Sequence, residues 1–96
     1  MSRTHRMSSY ATTIATAGDL VVVTYHATQI VAFDRLNVTL RTGGWDTVTT
    51  RRKMNQTARH FGLGFAVFRD AGESYVRRPD GSTVPLTDNM TFTREG

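Results

Sequence analysis

The sequence predicts an α+β fold: a twisted antiparallel β-sheet of about six to eight short strands, with one amphipathic helix packed on it. Three observations lead there. Short stretches rich in Thr, Val and Ile recur along the chain, and β-branched side chains favour strands. Gly, Asp, Asn and Pro separate those stretches at hairpin spacing. Only the region around Met54 to Phe61 has the period of a helix instead.

Taken in order, Tyr10 to Thr16 reads as a strand that ends at the turn Ala17-Gly18-Asp19. Leu20 to His26 follows as a largely buried strand. Gln29 to Phe33 and Val38 to Arg41 read as two more, broken near Asp34 to Asn37. Thr42-Gly43-Gly44 marks a loop. Met54, Ala58 and Phe61 recur at i, i+4, i+7 and make the apolar stripe of a helix near residues 50–61. Thr49 or Thr50 can cap its start. Gly62 suits the left-handed residue after its end, with Leu63 closing the contact. Phe65 to Arg69 and Ser74 to Arg77 form a hairpin across Asp70-Ala71-Gly72. Val84 to Leu86 and Met90 to Thr93 are short final strands, and Pro85 places the first of them at an edge. The expected core comprises Leu20, Val22, Ile30, Val31, Leu40, Phe65, Val67 and Tyr75 with the helix stripe.

The chain has 96 residues, enough for one domain and one modest core. Residues 1–9 read as a flexible N-terminal arm and 10–96 as a single domain. Having no cysteine, the chain can form no disulfide, thiolate zinc site or cysteine nucleophile. The longest apolar run, Leu20 to Val23, is far short of the roughly 20 residues a membrane span needs. The arm carries Arg3 and Arg6 without an apolar core behind them, unlike a secretory signal.

Charge is unevenly placed. The net charge is +4, and residues 41–59 account for all of it: Arg41, Arg51, Arg52, Lys53 and Arg59 stand against Asp46 alone. Eleven of the twelve basic residues are Arg, whose planar fork matches phosphate and carboxylate oxygens. Three of these bases fall where the helix is expected to start, the end that favours acids. That pattern suits an anion completing the site. Thr47, Thr49 and Thr50 would offer hydroxyls and helix N–H groups, Arg51 and Arg52 would pair with phosphate oxygens, and Asn55 would read a base edge or ribose. Gly43 and Gly44 allow close backbone approach, and Trp45 would stack on a base. His26, at a strand end, is a further candidate for the site.

Catalysis finds little support. His5, His26 and His60 are scattered, with no metal-ligand spacing, so no metal and no cofactor are expected. No carboxylate pair or nucleophile motif stands out; Asp46 has no second member beside it. The expected class is a binding protein, not an enzyme.

The segment Thr42-Gly43-Gly44-Trp45-Asp46-Thr47-Val48-Thr49-Thr50-Arg51-Arg52-Lys53-Met54-Asn55 resembles a motif, (S/T)-G-G-W-x-T-x-T-T-x-x-R-M-N, of small orphan proteins of tailed bacteriophages. Tyr25-His26-Ala27-Thr28-Gln29-Ile30-Val31, Val84-Pro85-Leu86 and Asp88-Asn89-Met90 are similar to the same group, so the likeness covers most of residues 20–92. Lys53 stands where the group usually has Arg, and Asp46 where a basic or neutral residue is commoner. The resemblance implies a viral origin and a host-cytoplasm setting. Together with the basic segment it makes the leading expectation a phage protein that sequesters a small phosphorylated ligand, such as a cyclic nucleotide messenger of host immunity, as a homo-oligomer. The alternatives are a nucleic-acid-binding protein, or an antagonist that binds an acidic surface of a host defence protein.

Overall fold

Among the described residues, two antiparallel sheets share one helix. The structure, a computed structural model, describes residues 3–5, 12–44 and 46–94. In chain order its elements are β1 (Arg3–His5), β2 (Thr12–Ala17), β3 (Leu20–Tyr25), β4 (Thr28–Phe33), β5 (Asn37–Leu40), α1 (Val48–Phe61), β6 (Ala66–Asp70), β7 (Glu73–Arg77), β8 (Thr83–Pro85) and β9 (Met90–Thr93). One sheet has six strands in the order β1-β2-β3-β4-β5-β9, the other three in the order β6-β7-β8. The α+β class and the antiparallel pairing are as the sequence predicts. Within the segment expected as a flexible arm, Arg3–His5 pairs with β2 from Arg3↔Thr16 to His5↔Ile14. The rest of that arm, and the expected strand start at Tyr10, lie outside the described residues.

Local chemistry fixes the turns. Asp34 Oδ1 accepts the N–H groups of Leu36 at 2.8 Å and Asn37 at 2.9 Å, which closes the β4–β5 connection. Ala71 and Gly72, both with positive φ, turn β6 into β7. Pro85 does sit in an edge strand, β8, where its missing N–H breaks no ladder.

α1 begins two residues earlier than the stripe suggests. Thr47 is its N-cap, accepting from the Thr50 N–H at 3.2 Å, so Thr49 and Thr50 lie inside the first turn. Gly62 adopts the left-handed conformation at φ 64°, and the Leu63 N–H reaches the Ala58 carbonyl at 2.9 Å. Leu63 is fully buried, so the expected helix stop holds.

Met54 and Ala58 are buried in the core, and Phe61 packs at its margin against Phe33, with ring centroids 4.8 Å apart. Around them lie Ile14, Val23, Val31, Val38, Leu40, Phe65, Val67, Val76 and Phe92. Three expected core residues lie elsewhere. Leu20 is 44 % exposed at the start of β3, and Val22 and Tyr75 are only half-buried. Strand alternation sends Val21, Val23 and Tyr25 inward and Leu20 and Val22 outward. A β-bulge explains why the neighbours Ile30 and Val31 are both buried. The β3–β4 register runs Val23↔Val31 and then Thr24↔Gln29, which leaves Ile30 as the extra residue.

Candidate functional site

A cavity of about 460 Å³ opens where the β3–β4 turn faces the start of α1. Its lining comes from the β3–β4 stretch, with Tyr25, His26, Ala27, Thr28 and Ile30, and from the loop and helix start, with Thr42, Thr47, Thr49 and Thr50. The volume falls within the roughly 300–1,000 Å³ of small-molecule sites. Rings and aliphatic carbons share this lining with Thr hydroxyls and a helix N-terminus. The bulge at Ile30 aims that side chain at the cavity floor, a use bulges often have beside binding sites. His26 is held at φ 54°, an uncommon conformation in which His is nonetheless enriched. Its ring lies 4.4 Å from that of Tyr25.

The helix start supplies donors. The first intrahelical bond runs from the Arg51 N–H to the Thr47 carbonyl at 3.1 Å. The N–H groups of Val48 and Thr49 therefore have no intrahelical acceptor, and no acid occupies the first turn. Because α1 starts early, Arg51, Arg52 and Lys53 stand in its second turn rather than its first. The partial positive charge at the cavity is thus the backbone's own.

The sequence-derived candidates divide. His26, Thr47, Thr49 and Thr50 line the cavity. Thr50 is 3 % exposed and shares a hydrogen bond with Thr47 at 3.1 Å between hydroxyls. Gly43 lies just behind the wall: a Cβ there would sit 2.8 Å from Thr28 Oγ1, so its close approach is to Thr28. Gly44 is exposed, with open space where a Cβ would be. Trp45 lies outside the described residues. Arg52 is exposed on α1.

Two candidates are engaged within the fold. The Arg51 guanidinium pairs with Asp46 Oδ1 at 2.6 Å and also meets Ser74 Oγ at 3.3 Å, tying the helix start to β7. Burial pushes the Asp46 carboxyl up. Hydrogen bonds from Ser74 and Arg51, and the charges of Arg51 and Arg69, outweigh it and hold the carboxyl below its ordinary 3.8. Asn55 turns to β6, where its amide bonds to both backbone groups of Val67.

Tyr25, Thr28, Thr42 and Lys53 were not among the candidates. Lys53 Nζ lies 5.7 Å from the Tyr25 ring centroid, close enough for a cation–π contact beside the cavity. Pairing across the β3–β4 turn sets Tyr25 beside Thr28 at the cavity, and the apolar run before Tyr25 hides that phase in the sequence. Asp88 is the remaining piece. Its Oδ1 accepts from the Thr42 N–H at 2.8 Å and the Gly43 N–H at 3.3 Å, while Asn89 Oδ1 accepts from Arg41 Nε at 3.0 Å. Three stretches distant in sequence, 25–31, 42–55 and 88–90, thus meet at one place.

Among the described residues no group of three metal-ligating side chains converges, and no helix is long and apolar enough to cross a membrane. Neither a curated protein nor a solved structure matches the chain. One family model does match, that of the Kyanoviridae Gp96 protein, over residues 1–93. That span takes in both sheets, the helix and every residue that lines the cavity, and it agrees with the viral origin read from the sequence. The chain belongs to this family of bacteriophage proteins, the Kyanoviridae Gp96 family.

Proposed function

We propose that this phage protein binds and sequesters a small phosphorylated ligand, a nucleotide in the first instance, in the cavity at the start of α1. The observation that carries the reading is the make-up of the cavity lining. An acid-free helix N-terminus with Thr47, Thr49 and Thr50 lines the same space, of nucleotide scale, as the rings of Tyr25 and His26. Phosphate oxygens accept from the free N–H groups and hydroxyls. The base lies against Tyr25, with Lys53 and Arg52 adding positive charge at the rim. Arg51 acts by fixing the helix start through Asp46, and Asn55 by fixing the helix to β6.

The motif from Thr42 to Asn55 is then this family's ligand-binding segment, and the Tyr25 and Asp88 stretches complete it. Binding without turnover, in the host cytoplasm, suits a protein that withdraws a nucleotide immune messenger from host defence. The test is mass spectrometry of small molecules released by heat from protein purified from infected cells, with calorimetric titration of the released species. Recovery of an intact phosphorylated compound at a fixed stoichiometry supports the reading. Release of none, with no nucleotide titrating, overturns it.

Confinement of the whole net charge to residues 41–59 favours a second reading, binding to a nucleic-acid backbone. It predicts affinity that falls steeply with salt, whereas a neutral-walled pocket keeps more of its affinity.

A further inference from the structure

The outer face of the three-stranded sheet carries a pattern that fits a second copy of itself. Val67, Val76 and Val84 form its inward row. The outward row beside it is Phe68, Tyr75 and Pro85, aligned across the three strands by the register Phe68↔Tyr75↔Pro85. The two rings are stacked, with centroids 5.8 Å apart and planes 27° from parallel. Phe68 is nevertheless 38 % exposed, and Pro85 is exposed beside it. Among the described residues the other exposed large apolar side chains, Leu20 in β3, Leu36 in the β4–β5 connection and Val48 in α1, lie outside this sheet.

Charge brackets the apolar row. On one side, along the strand direction, lies Arg77, between Ala66 and Thr83; on the other lie Asp70 and its partner Glu73. Among the described residues no ion pair engages Arg77, Asp70 or Glu73. We infer that this face is a two-fold dimer interface. A two-fold axis lying along the apolar row, between two facing sheets, sets the Phe68, Tyr75 and Pro85 row on its own copy. The same rotation reverses the strand direction, so the Arg77 end of each copy meets the Asp70 and Glu73 end of the other. An isologous contact needs this self-complementarity. A polyanion laid on the same face would meet Asp70 and Glu73.

Edge pairing is restricted in this sheet. At the β6 edge Asn55 occupies both backbone groups of Val67, and in the β8 edge strand Pro85 has no N–H to give. Association by the face remains open.

The experiment is sedimentation velocity on the full chain over a wide concentration range, with circular dichroism as a check of folding. Wild type is expected to dimerise. Glu73→Arg sets Arg against Arg77 of the other copy and Arg77→Glu sets Glu against Glu73 of the other copy, so each alone is expected to be monomeric. An equimolar mixture of the two variants restores complementary ends and is expected to dimerise again; the double variant Glu73→Arg/Arg77→Glu is also expected to dimerise. Wild type that stays monomeric up to millimolar concentration overturns the proposal. So does a dimer unaffected by both charge reversals, or failure of the mixture to recover what the single variants lose.

Discussion

Asn55 treats Val67 as a neighbouring strand would. Its Nδ2 donates to the Val67 carbonyl at 2.8 Å, and its Oδ1 accepts from the Val67 N–H at 2.7 Å. One helical side chain thereby closes the free edge of β6 and fixes the rotation of α1 against the smaller sheet.

Replacing it exposes the size of that role. Asn55→Ala leaves the buried N–H and C=O of Val67 without these partners, a loss of about 1–3 kcal/mol. Chemical denaturation is expected to show it as a lower midpoint with an unchanged slope. Asn55→Asp keeps the acceptor but brings a charge and loses the donor, so it is not expected to rescue.

The Arg51–Asp46 pair makes stability depend on acid. Asp46 has its pKa held below the ordinary 3.8 in the folded chain, so its contribution is present above that value and is lost as pH falls through the folded one. Asp46→Asn is expected to be less stable than wild type near neutral pH, with the gap closing on acidification below 3.8. Asp34 and Asp80 also have lowered pKa values, from hydrogen bonds in their own turns, so acid still weakens the variant. Thermal melts across the acid range test this.

Gly43 and Gly44 are expected to respond differently to alanine. Both have positive φ, at 61° and 85°, which a side chain tolerates at a cost of roughly 1–2 kcal/mol. Only Gly43→Ala also drives a Cβ against Thr28, at 2.8 Å from its Oγ1. Gly43→Ala is therefore expected to lower the melting temperature more than Gly44→Ala. Trimming the obstacle in Thr28→Ala/Gly43→Ala should recover the steric part alone.

Ligand affinity should follow the cavity wall. Thr49→Val keeps the shape but loses a hydroxyl, and is expected to weaken nucleotide binding by about 0.5–1.5 kcal/mol. Arg52→Ala removes a positive charge from the exposed face of α1 and, on the proposed reading, is expected to weaken binding by about ten-fold or more. Thr57→Val and Arg35→Ala are the controls. Thr57 spends its hydroxyl on the Lys53 carbonyl inside the helix, and Arg35 lies far along the chain in an exposed pair with Asp19. Equal losses from the controls and the wall variants, read by calorimetry, would sink the pocket assignment.

Much of this fold was legible in the sequence, and the gaps have physical causes. Turn residues and β-branched runs locate the strands from β2 onward to within a residue or two. The run from Leu20 to His26 does not reveal its phase, because an uninterrupted apolar strand lacks the alternation that would show which side faces in. That is why Leu20 and Val22 were placed in the core and Tyr25 was not placed at the cavity. The helix lies where the stripe places it, but its cap is Thr47 and not Thr49 or Thr50, because Val48, Thr49 and Thr50 are β-branched and precede the apolar stripe. Of the residues that line the cavity, the charge pattern points to Thr47, Thr49 and Thr50, and the strand end points to His26. Arg51 and Asn55 were expected to face a ligand. Their actual partners, Asp46 with Ser74 and the backbone of Val67, depend on how the β6–β7 hairpin folds back, which no local pattern encodes.

The order of the larger sheet bears on how the protein is made. β5 pairs on its outer side with β9, and the Thr39 and Thr91 hydroxyls that join them are 52 residues apart in the chain. On the ribosome β5 emerges early and waits with an open edge while α1 and the whole β6–β8 hairpin are synthesised. Such a distant pairing is slow to form, because a long loop must close before any contact rewards it. Until β9 arrives, that edge is where nascent chains can join one another. A chain cut before Met90 would keep the edge open permanently, and aggregation rather than loss of binding would be its first symptom.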